Sequence, residues 1–224
     1  MAWGICLVTG APGLGKTFST REILHALVDS LPPDTVLREE RFPRSPSAKR
    51  IAERLHYAVT GVRLSRQTEE AITDQLLLAL TRPTILFIDE AQNLTRHGMH
   101  YLRHLWDDPN TRVSIVLAGA DGTYQLMRKD RTLRSRIFAH AALEPLDKDH
   151  VVELIRQLHQ VWSEAPSEVI NQVNANFARG NFRSWVVATR WASAFCQQEG
   201  IVTVNQDVVE EVLVAVRSLS ADAT

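Results

Sequence analysis

Residues 10–17, Gly10-Ala11-Pro12-Gly13-Leu14-Gly15-Lys16-Thr17, fit the pattern G-x-x-x-x-G-K-[ST] at every position. These residue types suit the binding of a phosphate chain. Glycines let the backbone curl so that successive N–H groups point inward at phosphate oxygens, and a helix that follows adds its positive N-terminal end. Lys16 then reaches the β and γ phosphates of a nucleotide, and the Thr17 hydroxyl offers an oxygen to Mg²⁺. Phe18 extends the candidate nucleotide-binding run into the helix. A chance match in a glycine-bearing turn is the alternative, at odds of about 1% from average residue frequencies.

A second cluster stands at Ile85-Leu86-Phe87-Ile88-Asp89-Glu90, an apolar run that ends in two carboxylates. Asp89 suits the Mg²⁺ shell, and Glu90 suits a general base that polarises an attacking water. Alone, such a pair reads more readily as a turn or a helix cap. The glycine loop upstream reverses that preference, and the two clusters together predict binding and hydrolysis of ATP with Mg²⁺.

The elements that must hold these groups follow from hydrophobic patterning. An apolar run at 3–8 predicts a strand, then the glycine loop, then a helix through TFSTREILHALV. The turn signal LPPD precedes a second strand, TVLREERF. Helices follow at SPSAKRIAERLHYAV and SRQTEEAITDQLLLALT, and Pro83 punctuates the chain before the strand ILFI. HGMHYLRHLW reads as a helix, VSIVLAGA as a strand, the stretch to about Arg136 as a helix, and IFAHAALEPL as containing a short strand. Strands alternating with helices imply a five-stranded parallel sheet covered on both faces, an α/β core expected over residues 1–146. The remainder, 147–224, reads as a small all-helical lid unit whose third helix ends at Gly200 and whose fourth is capped by Asn205.

The chain has 224 residues, with 25 Lys and Arg against 26 Asp and Glu and 45% hydrophobic residues, a composition that excludes wholesale disorder and tail-driven polyanion binding. Cys6 and Cys196 stand far apart without metal or redox spacing and read as small buried hydrophobes, which fits a reducing, cytoplasmic setting. The run at 3–8 is too short for a signal-peptide core or a membrane span, so no membrane association is expected.

Taken in order, GAPGLGKT, FIDEAQNL, YLRHLWDD, IVLAGA and LRSRI resemble the initiator-type AAA+ ATPases. Within these, the resemblance is to the group containing the Mu B and TnsC transposition ATPases and the ExeA-like secretion ATPases. It runs from Gly4 to about Trp191, and IDEAQNL is its more specific element. The resemblance implies the roles already argued for Lys16, Thr17, Asp89 and Glu90. It also implies that Arg134 or Arg136 reaches the γ phosphate of a neighbouring subunit, stabilising charge that develops on the transferred group; solvation of a helix end is the alternative. Gly180-Asn181-Phe182-Arg183 is similar to the G-x-x-R of sensor 2, which would bring Arg183 to the nucleotide. Two departures are expected to matter. The strand VSIVLAGA ends in Gly119-Ala120, where many relatives carry a polar sensor 1 side chain, commonly Asn, so turnover is expected to be slow. The first strand begins close to Met1, so an N-terminal module found in relatives is expected to be missing.

Near-neutrality overall conceals segregated charge. Between Arg41 and Arg66 stand Arg41, Arg44, Lys49, Arg50, Arg54, Arg63 and Arg66 against the single acid Glu53. Arg44, Lys49, Arg50 and Arg54 are the candidate contacts to duplex DNA through its phosphates, with a solvated helix face as the alternative. Trp106, Trp162, Trp185 and Trp191 read as core, and a metal at His97, His100 and His104 lacks further ligands. The expected function is a transposition ATPase that assembles with ATP into a ring or filament on double-stranded DNA and activates a transposase. The alternatives are an ATPase that drives protein-complex assembly without DNA, and a nucleotide-switched scaffold with negligible hydrolysis.

Overall fold

A computed structural model describes residues 4–64 and 66–221 and divides the chain into two compact units. The first takes in Met1–Ala11 and Lys16–Leu143; the second takes in Pro12–Gly15 and Glu144–Thr224. Trp3, expected to open the first strand, lies outside the described residues.

In the first unit, β1 (Ile5–Thr9), β2 (Val36–Arg41), β3 (Thr84–Asp89), β4 (Val113–Gly119) and β5 (Ile137–Ala142) form one parallel sheet in the order β2-β3-β4-β1-β5. The interior strand β3 is buried along its whole length, as its continuous apolar run requires. Leu86 and Ile88 point to one face of the sheet. There they pack with Ile5, Leu7, Ile115 and Leu117 under α2 (Ala48–Thr60), α3 (Glu69–Ala79) and α4 (Arg96–Asp107). Ile85 and Phe87 point to the opposite face, where Leu24 of α1 (Lys16–Val28) covers them. Period-two alternation along one strand thus feeds two cores.

Register brings the carboxyl ends of the strands together. Thr9 lies opposite Gly119, and Ile88 lies opposite Leu117, so the start of the glycine loop, the end of β4 and the Asp89-Glu90 pair share one rim of the sheet. Parallel sheets bind ligands at that rim. The helix expected to run to about Arg136 is two helices, α5 (Asp121–Lys129) and α6 (Arg131–Arg134). Asp130 divides them, because its carboxylate accepts from the backbone N–H groups of Thr132 and Leu133 and so starts a new helix.

The second unit contains α7 (Lys148–Leu158), α8 (Ser167–Val173), α9 (Phe182–Glu199) and α10 (Gln206–Ala221). Its core is centred on Trp162 and Trp185, both fully buried and packed edge to face with ring centroids 5.6 Å apart. Trp106 and Trp191 only border their cores. α8 is shorter than its sequence pattern suggests and passes into a π-helical turn at Asn174–Ala178. The Asn174 side chain accepts from the Gly180 N–H at 2.8 Å, and Gly180 adopts φ +74°, a left-handed conformation that suits glycine. Gly200 closes α9 in the left-handed conformation, and Asn205 accepts from the Val208 N–H at 3.0 Å. Cys196 is buried but Cys6 only partly so; burial pushes both thiols up from their ordinary value, which leaves them poor nucleophiles.

Candidate functional site

The two sequence clusters meet in the first unit. The Thr17 hydroxyl donates to Asp89 Oδ1 at 3.0 Å, joining residues that stand 72 positions apart. Thr17 is held at the N-terminus of α1 and Asp89 at the end of β3, so both are fixed by regular backbone rather than by loops. The Lys16 ammonium folds back over the glycine loop and donates to the carbonyls of Gly10 at 2.8 Å and Ala11 at 2.9 Å. Gly13 and Gly15 take φ of +85° and +86°, values that would strain any residue with a Cβ.

Glu90 follows Asp89 in a left-handed conformation, φ +53° and ψ +41°, uncommon for a residue other than glycine. Both of its carboxylate oxygens are engaged. Oε1 accepts from Arg41 Nη2 at 2.6 Å, and Oε2 accepts from Gln92 Nε2. Arg41 also stands 3.7 Å from Asp89 Oδ2. The carboxylate borders an open polar cavity lined by Arg41, Arg44, Ser45, Glu90, Gln92 and Asn93. Asn93, in that lining, donates to the Phe42 carbonyl at 2.9 Å. Sequence reading counted Arg41 only as charge and passed over Gln92, although it lies within IDEAQNL.

Two hard oxygens at Thr17 and Asp89, close enough to share a hydrogen bond, fit the protein's part of a Mg²⁺ site, which ordinarily takes one or two protein ligands and completes its shell with phosphate and water. Among the described residues no set of three His, Cys, Asp or Glu side chains is arranged to hold a metal. His100 instead pairs with Asp130 at 2.8 Å.

The arginine candidates separate. Arg136 donates to Asp107 at 2.7 Å and lies over the Trp106 ring at 5.5 Å. Arg134 is exposed at the end of α6, and its side chain has no ion-pair partner among the described residues. Asp130 anchors that helix. The Thr132 hydroxyl, the Arg96 guanidinium and His100 all donate to its carboxylate, holding it well below the usual carboxylate range against the opposing effect of desolvation.

Within the second unit, the tip of the glycine loop is fastened to the start of α9. The Asn181 amide donates to the Pro12 carbonyl at 2.9 Å, the Arg183 N–H donates to the Gly13 carbonyl at 3.0 Å, and Asn181 Oδ1 caps the helix through Arg183 and Ser184. A Cβ on Gly13 would come within 2.4 Å of Asn181 Oδ1. Leu14 is buried, whereas Phe18 and the Arg183 side chain are exposed.

The basic segment is more neutralised than its composition implies. Arg54 pairs with Glu40 at 2.5 Å and lies over Phe42, Arg41 pairs with Glu90, and Arg50 stands 3.7 Å from Glu53. Glu40 and Glu90 lie outside the segment in sequence. Arg54 is partly buried and paired, while Arg44 and Lys49 stay exposed.

Residues 2–127 match the AAA domain family. The chain belongs to that family. No curated protein matches it in sequence. Among solved structures, the Aeropyrum pernix ORC2 protein in its ADPNP-ADP complexes is similar at TM-score 0.70 and 15% identity, over 94% of this chain and 61% of that one. The Aeropyrum pernix ORC1 protein in complex with DNA is similar at TM-score 0.70 and 17% identity, over 96% and 60%. The Thermotoga maritima RuvB Holliday junction branch migration motor is similar at TM-score 0.65 and 18% identity, over 95% and 61%. At these identities the likeness is one of fold, and the chain spans about 60% of the length of those three chains.

Proposed function

We propose that this AAA domain binds and hydrolyses ATP with Mg²⁺ at the rim formed by residues 10–17, Asp89 and Glu90. The observation that carries the reading is the hydrogen bond between Thr17 and Asp89, which unites the glycine loop and the acidic strand end in one site. Lys16 exchanges its two loop carbonyls for phosphate oxygens. Thr17 and Asp89 hold the Mg²⁺, which when bound offsets charge on the phosphates. Glu90 orients a water and accepts its proton as the water oxygen bonds to the γ phosphorus and the bond to the β-phosphate oxygen breaks. Arg134, rather than Arg136, is the arginine offered to a neighbouring subunit's nucleotide. Arg183, whose backbone N–H donates to the Gly13 carbonyl within the second unit, is a further candidate nucleotide contact.

The finer reading is that the domain assembles on duplex DNA with ATP and serves transposition by activating a transposase. The exposed Arg44 and Lys49, with Arg50 beside them, support contact to phosphates; repeated in an oligomer they make a basic track with sequence-tolerant, salt-sensitive binding. A related fold is solved with DNA in the Aeropyrum pernix ORC1 protein. Retention of labelled duplex with ATP, with ADP and after the double substitution Lys49→Glu/Arg50→Glu tests it. ATP-dependent retention that the substitution removes is expected; retention indifferent to both nucleotide and substitution would sink it. The neutralisation of Arg41 and Arg54 by Glu90 and Glu40 favours a second reading, assembly of a protein complex without DNA.

A further inference from the structure

β4 ends without a polar side chain, in Gly119 and Ala120. The space beside Gly119 is nevertheless polar: a Cβ there would come within 2.5 Å of Thr123 Oγ1 and 2.9 Å of Gln92 Oε1. Gln92 reaches this point from the 3-10 turn Ala91–Asn93 that follows Glu90. Its Oε1 accepts from the Ala120 backbone N–H at 3.0 Å. Only the oxygen end of an amide can accept from an N–H, so Nε2 is turned the other way, where it donates to Glu90 Oε2. A fixed main-chain donor at the end of β4 thus sets the orientation of a side-chain donor on the carboxylate.

We infer that Gln92 is a positioning residue for hydrolysis, supplying from the turn after β3 the polar group that the end of β4 lacks. This inference rests on the reading of Glu90 as the base. Glu90 sits in a left-handed conformation and needs an external hold to keep its carboxylate aimed. Gln92 provides that hold on one oxygen. Gly119 is required because a side chain there would occupy the space of the Gln92 amide.

Gln92 is exposed, so substituting it spares the core. Steady-state hydrolysis and fluorescent-nucleotide binding are to be measured for Gln92→Met, which keeps the length of the side chain and removes both hydrogen bonds. Turnover is expected to fall about 10-fold, with KM and nucleotide affinity unchanged. Gln92→Glu keeps the acceptor for Ala120 but removes the donor to Glu90, so its turnover should fall as in Gln92→Met with KM unchanged. Gly119→Ala should reproduce the Gln92→Met defect, and the double variant should be no worse than either. Unchanged turnover in Gln92→Met, or a loss of nucleotide affinity in parallel with turnover, would overturn the role of Gln92. Equal turnover in the unsubstituted protein and Glu90→Gln would instead remove the underlying reading of Glu90.

Discussion

Arg41 at the end of the edge strand β2 places its guanidinium 2.6 Å from Glu90 Oε1 and 3.7 Å from Asp89 Oδ2. The arginine competes with a water for Oε1, whereas Gln92 holds the other oxygen, Oε2. Arg41→Ala is therefore expected to raise basal ATP turnover several-fold with nucleotide affinity unchanged. Single-turnover hydrolysis alongside equilibrium binding checks this; a fall in turnover would make Arg41 a support of the base and not a restraint on it.

Thr17 and Asp89 present hard oxygens to the same point. Thr17→Val and Asp89→Asn should each weaken the Mg²⁺ dependence of nucleotide binding by about 10- to 100-fold, with little loss of binding in EDTA. A Mg²⁺ titration of bound fluorescent nucleotide reads this directly.

The two arginines after Asp130 should behave differently. Arg134→Ala should abolish hydrolysis while leaving ATP binding and thermal stability intact, and an excess of this variant should poison turnover of the unsubstituted protein in mixtures. Arg136→Ala removes a contact to Asp107 and to the Trp106 ring, so its first effect should be on the melting temperature. The opposite assignment of effects would return the role to Arg136.

Asp130 carries a pH dependence with a definite sign. Its folded pKa is depressed, chiefly by the Thr132 hydroxyl and then by Arg96, so the folded state binds fewer protons than the unfolded state in acid. The stability it contributes is complete above the ordinary carboxylate range and is lost as pH falls below it. Asp130→Asn should lower the melting temperature at neutral pH and flatten its decline below about pH 4, as thermal melts across an acid series would record.

Much of this was readable in the residues. The fold was legible because each strand carries an apolar run bounded by turn signals; Lys16, Thr17, Asp89 and Glu90 stood out as candidates because phosphate and Mg²⁺ chemistry calls for those types at the ends of a strand and a helix. What escaped was pairing across elements. Nothing in local spacing says that Glu40 neutralises Arg54, that Asp107 takes Arg136, or that Gln92 accepts from the Ala120 N–H, since each depends on how separate strands and helices are brought side by side. Asn181 shows the same limit. In sequence it reads only as part of the G-x-x-R run, yet it caps α9 and its amide also holds the Pro12 carbonyl. Asn181→Ala should cost about 1 kcal/mol of stability through the lost cap and weaken nucleotide binding as well, which melting and binding curves together would separate.

The most direct measurement is steady-state ATP hydrolysis by the unsubstituted protein, Lys16→Ala and Glu90→Gln, with nucleotide binding determined in parallel. Hydrolysis at the Asp89-Glu90 rim requires that Lys16→Ala lose both binding and turnover, and that Glu90→Gln keep binding while turnover drops by about 100-fold or more. Turnover in Glu90→Gln equal to that of the unsubstituted protein, or binding that survives Lys16→Ala undiminished, would contradict it.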